Sequence, residues 1–154
     1  MLHPDIVKWL DSKAPIETQH QGMDTIRKEM ANNDDAFDYS ILILPEADRF
    51  AWDNCAVLIS ELHDDILIPL LYKLTPWLSF NTFGSNIIWY RLHQLSENVF
   101  FDYVLSLKKA YDDSSDPVCF EALAYMYCYA PPPGGHNLDC FPFLKEFEKF
   151  FVLE

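Results

Sequence analysis

This sequence predicts an all-α fold: an irregular bundle or short stack of about seven to nine short helices joined by short links. Three observations point there. Half of the 154 residues are apolar and 16% are aromatic, enough for a core even with a net charge of −13. Only four glycines are present, too few for the turns of a β-rich domain. Apolar residues recur at helical spacing along most of the chain, with proline, aspartate or serine at several helix starts. The length is that of one domain, 1–154, and no fixed-period repeat is present.

Residues 5–12 read as a short helix carrying Ile6, Val7 and Leu10, with Trp9 beside them. Residues 18–32 form a second, whose narrow stripe of Met23, Ile26 and Met30 places it on the surface. The run 35–44 fits either a helix capped by Asp34, with Phe37, Ile41 and Leu44 aligned, or a buried strand. Helix is favoured, because no second strand is available to pair with it. Residues 46–62 give the best-defined helix, opened by Pro45. Ala47, Ala51, Cys55, Leu58, Ile59 and Leu62 share one face, with Trp52 at its margin.

Asp64 and Asp65 are expected to cap a helix over 66–74, with Thr75-Pro76 interrupting it and Trp77-Leu78 adding a half turn. Residues 80–85 read as a loop around Gly84, followed by a helix over 86–95. Ser96 caps a longer helix over 97–111, and 112–115 is a polar break. Asp116-Pro117 starts an apolar, central helix ending near Tyr129. Residues 130–135, Ala-Pro-Pro-Pro-Gly-Gly, stop it, and Pro142 opens a last helix packed through Phe143, Leu144, Phe147, Phe150 and Phe151.

The charge is concentrated early. Between Glu29 and Asp65 stand ten acids and one base, Arg49, a net −9 in a stretch also rich in apolar residues. A folded acidic face attracts basic partners and repels nucleic acid and anionic lipid. Met1, Leu2, His3, Pro4 and Asp5 do not open a signal peptide, and no apolar run approaches the length of about 20 residues that a bilayer requires. The expected location is the cytoplasm, without membrane association. The four cysteines, Cys55, Cys119, Cys128 and Cys140, are then reduced, and Cys55 and Cys119 read as small buried hydrophobes.

Reactive side chains cluster once, in the loop 128–140. Cys128, His136, Asp139 and Cys140 include zinc-ligand types, but their spacing matches no common finger. A Cys140 thiolate activated by His136 is disfavoured by the acidic surroundings. The plainer reading is a rigid connector in which His136 or Asn137 bonds the backbone. Asp34-Asp35, Asp64-Asp65 and Asp112-Asp113 stand at helix starts, where capping accounts for them. His63 and His93 read as structural. No catalytic fingerprint occurs, so the chain is expected to be no enzyme and to need no metal or cofactor.

Two apolar residues, Phe50 and Val57, lie among Glu46, Asp53 and Glu61 on the polar side of the 46–62 helix. They are either covered by another element or open to a partner. Together these five form the candidate binding site, with Asp34, Asp35 and Asp38 at its rim. In size, charge and lack of an evident active site the chain is similar to bacterial immunity proteins, which neutralise a cognate toxin, often a basic nuclease. That resemblance implies an inhibitor acting by binding. The alternative is a helical scaffold or peptide-binding module, with an exposed apolar groove in place of an acidic patch.

Overall fold

Helices account for all the regular secondary structure in a computed structural model that describes residues 4–32, 37–43, 46–79, 83–128 and 132–147. Among these residues no strand occurs, as the periodic, glycine-poor sequence predicts. Seven α-helices follow in chain order: α1 (Ile16–Asn32), α2 (Trp52–Ser60), α3 (Asp64–Leu67), α4 (Leu71–Leu74), α5 (Phe83–Leu92), α6 (Glu97–Ser114) and α7 (Pro117–Cys128). 3-10 segments lie between and around them. The chain divides into two compact units, Met1–Leu70 with Thr82–Ile87, and Leu71–Asn81 with Ile88–Glu154.

The first unit is organised around α2. Trp52, Cys55, Ala56, Leu58 and Ile59 are all buried, so this short helix is apolar over most of its circumference. α1 turns Gln19, Gly22, Met23 and Ile26 inward, which makes it more than a surface helix. Gly22 is the reason it approaches the 3-10 segment Pro4–Leu10 so closely, since a Cβ there would stand 3.1 Å from Leu10 Cδ2 and 3.3 Å from Trp9 Cβ. The junction is held by amides. Asn54 Nδ2 donates to the Leu10 carbonyl at 2.6 Å and to Gln19 Oε1 at 2.8 Å, while Gln19 Nε2 donates to the Ala14 carbonyl at 2.7 Å. Replacing Asn54 with alanine strands two part-buried acceptors. We expect a loss of about 1–2 kcal/mol, read as a lowered urea midpoint at unchanged slope.

The second unit centres on α7, which packs against the 3-10 segment Thr75–Ser79, α6 and the 3-10 segment Pro142–Phe147. Ala122, Leu123, Ala124, Tyr125 and Met126 are consecutive and buried, as a central helix requires. Its start follows the sequence: the Val118 N–H donates to Asp116 Oδ1 at 2.9 Å, with Pro117 as the first helical residue. Ser96 likewise accepts from the Val99 N–H to start α6. α6 runs to Ser114 rather than Tyr111 and ends where Ser115 turns left-handed, at φ 52°. Tyr103 Oη and Thr75 Oγ1 lie 2.7 Å apart, and both reach the Leu71 carbonyl, at 3.4 and 3.1 Å. Burial pushes the Tyr103 phenol far up, so it stays protonated and keeps its proton to donate.

Several boundaries differ from the sequence reading, for identifiable reasons. The single helix over 46–62 is a 3-10 segment, Glu46–Ala51, followed by α2. The change from about 120° to about 100° per residue alters the facing of its residues, and Trp52 lies in the core rather than at the margin. The run 35–44 contains a 3-10 turn, Tyr39–Leu42, whose cap is Asp38 rather than Asp34. The helix over 66–74 is divided into α3, a 3-10 turn Ile68–Leu70 and α4, because Pro69 has no N–H to donate. Its N-cap residue is His63, and Asp64 and Asp65 fall in the first turn. α5 begins at Phe83, three residues before the expected start, drawing Gly84 into the helix. The described parts of the first and last predicted helices, Pro4–Leu10 and Pro142–Phe147, are 3-10. Phe150 and Phe151 lie outside the described residues.

Candidate functional site

The acidic character belongs mainly to the first unit. Fourteen acids and five bases fall there, a net −9, against ten and six, a net −4, in the second. Much of this charge sits where helices begin: Glu17 in the first turn of α1, Asp53 in that of α2, Asp64 and Asp65 in that of α3. Each complements the partial positive charge of exposed N–H groups.

The predicted site residues have distinct surroundings. Phe50 is 44% exposed at the end of the Glu46–Ala51 segment. It is held from behind by its backbone, since the Ser12 N–H donates to the Phe50 carbonyl at 3.0 Å. Two cations lie over its ring, Lys13 Nζ at 4.1 Å and Arg49 Cζ at 5.6 Å from the centroid. Val57 is half-buried on α2. Of the two apolar residues left open by the sequence, Phe50 is therefore the one presented to solvent.

Asp53 is turned toward the chain itself. Its Oδ1 accepts the Gly84 N–H at 2.8 Å, so this carboxylate caps the start of α5 as well as lying at the start of α2. Glu61 is engaged too. Arg27 grips it with two parallel bonds, Nη2 to Oε1 at 2.6 Å and Nε to Oε2 at 2.9 Å, and reaches Asp24 Oδ1 at 3.2 Å with Nη1. This fork raises the already high proton affinity of the guanidinium. The trio Asp24, Arg27 and Glu61 presents one net negative charge rather than two. Asp38 spends its carboxylate on the backbone and hydroxyl of Ser40. Glu46 opens its 3-10 segment, and the rest of its environment, like Asp34 and Asp35, lies outside the described residues.

Lys13, Arg27 and Arg49 were absent from the sequence-derived site, although they decide how Phe50 and Glu61 meet solvent. No local pattern marks Lys13 or Arg27; the Arg27–Glu61 bond spans 34 positions. Arg49 alone had a visible signal, as the single base in the acidic stretch.

The reactive loop of the second unit is tied down by backbone bonds. The His136 N–H donates to His93 Nδ1 at 2.9 Å, and His136 Nε2 lies 2.6 Å from the Leu95 carbonyl, which fixes the proton on Nε2. The Asp139 N–H donates to Asn137 Oδ1 at 2.8 Å. Both residues named as possible backbone anchors thus bind backbone. Cys140 is exposed, with Sγ 4.0 Å from the Asn137 carbonyl, and the side chain of Cys128 lies outside the described residues. Among the described residues, no three His, Cys, Asp or Glu side chains are grouped to hold a metal ion. Cys55 and Cys119 are buried, and burial beside Asp116 pushes the Cys119 thiol up, away from the reactive thiolate. Among the described residues, no helix is long and apolar enough to cross a membrane.

The described residues define an all-α protein with one strongly acidic unit that presents Phe50 as a cation-flanked aromatic ring. Comparison with known protein families, curated proteins and solved structures finds no match to this chain.

Proposed function

We propose that this chain is a cytoplasmic binding protein whose acidic first unit engages a basic partner protein, and that the partner is a toxin domain of the nuclease type, which it neutralises by occupying the nucleic-acid surface. The observation that supports this reading is the net −9 on the first unit. Opposed potentials speed encounter and fix orientation. A desolvated aromatic anchor then slows release, and Phe50, 44% exposed and flanked by Lys13 and Arg49, is the ring we assign that part. The mechanism is stoichiometric and uses no cofactor or turnover.

Asp53 and Glu61 act within this mechanism as part of the field, since each carboxylate already binds inside the chain. The charge test uses the expected rim, Asp34→Lys with Asp35→Lys, and the contact test uses Phe50→Ala. The native chain, immobilised, is expected to retain a basic protein from its own cell at low salt. Association should slow at least about tenfold on moving to about 0.5 M salt. The rim variant should mainly lower the association rate, and Phe50→Ala should speed dissociation by about tenfold or more. The purified partner should lose its nuclease activity at a one-to-one ratio. Retention that is indifferent to salt and to both variants would end this reading.

A further inference from the structure

The segment 132–141 crosses the second unit as a strap, and its attachment has an unusual dependence on one imidazole. Two bonds hold its middle, the His136 N–H to His93 Nδ1 and the His136 Nε2–H to the Leu95 carbonyl. Gly135 allows the approach, since a Cβ there would stand 3.0 Å from His93 Nδ1 and 2.9 Å from the Pro132 carbonyl. Gly134, at φ 79°, supplies the turn into it. Phe141 and Leu144 are buried and anchor the far end. The strap lays the His136 ring 5.3 Å from Phe100 and 6.2 Å from Phe101, and Phe141 packs edge-on to Phe101 at 4.9 Å.

His93 can hold the strap only while Nδ1 keeps its lone pair. It then carries its proton on Nε2, which is buried with no hydrogen-bond partner among the described residues. Its neighbours are Trp89 at 4.4 Å on α5, Phe100 at 4.6 Å on α6 and His136 at 5.8 Å on the strap, with Tyr125 of α7 in turn edge-on to Trp89 at 5.8 Å. His136 is the one base among these neighbours, and its charge repels an imidazolium at His93. Among the described residues no carboxylate acts on His93 to compensate. Protonating His136 itself leaves its Nε2–H donor to Leu95 intact; protonating His93 replaces the acceptor with a second donor facing the His136 N–H.

We propose that residues 132–141 form an acid-released strap, with His93 as its latch: protonation of His93 detaches the His136 turn and bares the aromatic surface of Phe100 and Phe101. Burial, followed by repulsion from His136, holds the latched His93 down at about 4, against an ordinary value near 6.5. The depressed value belongs to the closed strap, so closure is fully supported above about pH 6.5 and loses support as pH falls toward 4. The opening equilibrium should rise by about twentyfold between about pH 7 and about pH 5.

Hydrogen exchange of the His136 amide, followed by NMR and corrected for the intrinsic pH dependence of exchange, reads the latch directly. The native chain should lose about twentyfold of its protection at His136 over that range, while the Val104 and Leu123 amides remain protected. His93→Asn presents an acceptor oxygen on the same short branch without a titrating group, and its His136 protection should be flat with pH. Constant protection in the native chain would overturn the proposal. So would a pH-dependent loss that survives in His93→Asn, or a loss shared by Val104 and Leu123, which would report unfolding of the unit rather than release of the strap.

Discussion

Gly84→Ala is expected to destabilise the protein by about 3 kcal/mol, although glycine to alanine inside a helix ordinarily stabilises by up to about 1 kcal/mol. Gly84 is the second residue of α5. A Cβ there would lie 2.7 Å from Trp52 Nε1, 2.8 Å from Trp52 Cδ1 and 3.0 Å from Asp53 Oδ1. The indole is buried and rigid, so it has no free end to swing aside. Moving α5 instead breaks the bond from the Gly84 N–H to Asp53 and uncaps the helix. Overpacking and loss of the cap therefore act together, and both outweigh the propensity gain. Urea denaturation measures the sum. A variant as stable as the native chain would mean that α5 is not seated on Trp52. Gly134→Ala is the useful contrast: nothing lies within 4 Å of a Cβ there, and the φ of 79° alone sets the cost, about 1 kcal/mol.

Trp89→Ala should cost about 4 kcal/mol. Its ring is 1% exposed and is surrounded by aromatic neighbours: edge-on to His93 at 4.4 Å and to Tyr125 at 5.8 Å, tilted on Phe100 at 5.9 Å. Removing it leaves a cavity bounded by His93, just past the end of α5, and by rings on α6 and α7 that cannot collapse without breaking their mutual packing. Trp89→Phe keeps much of the volume and should cost roughly half as much. It also removes an indole N–H that has no hydrogen-bond partner among the described residues, which offsets part of the loss. The check is the difference between the two urea midpoints. Equal losses would show that shape at this position, not volume, carries the stability.

The features legible in the sequence are those whose causes are local. Asp116-Pro117 and Ser96 start helices because a side chain two or three positions away reaches its own backbone. The buried run in α7 is readable because its residues are apolar on nearly every side. The exposure of Phe50 and Val57 is not legible in the sequence, since exposure is not a property of a residue and its neighbours in the chain. Asp53 shows the same limit from the other side. As a stripe residue it reads like Glu61, yet one carboxylate caps a helix 31 positions away and the other is clasped by an arginine 34 positions away.

By itself, the sequence determined that this protein is helical, that its negative charge is gathered toward its first half, and where several helices start, because periodicity, composition and capping act over a few residues. The tertiary structure decided which turns are 3-10 rather than α, since a large ring such as Trp52 must be seated in a particular direction. It decided that Lys13 and Arg49 flank Phe50, that Asp53 belongs to α5 as much as to α2, and that His93 latches the His136 strap. These are contacts between residues distant in the chain, and packing in three dimensions brings them together.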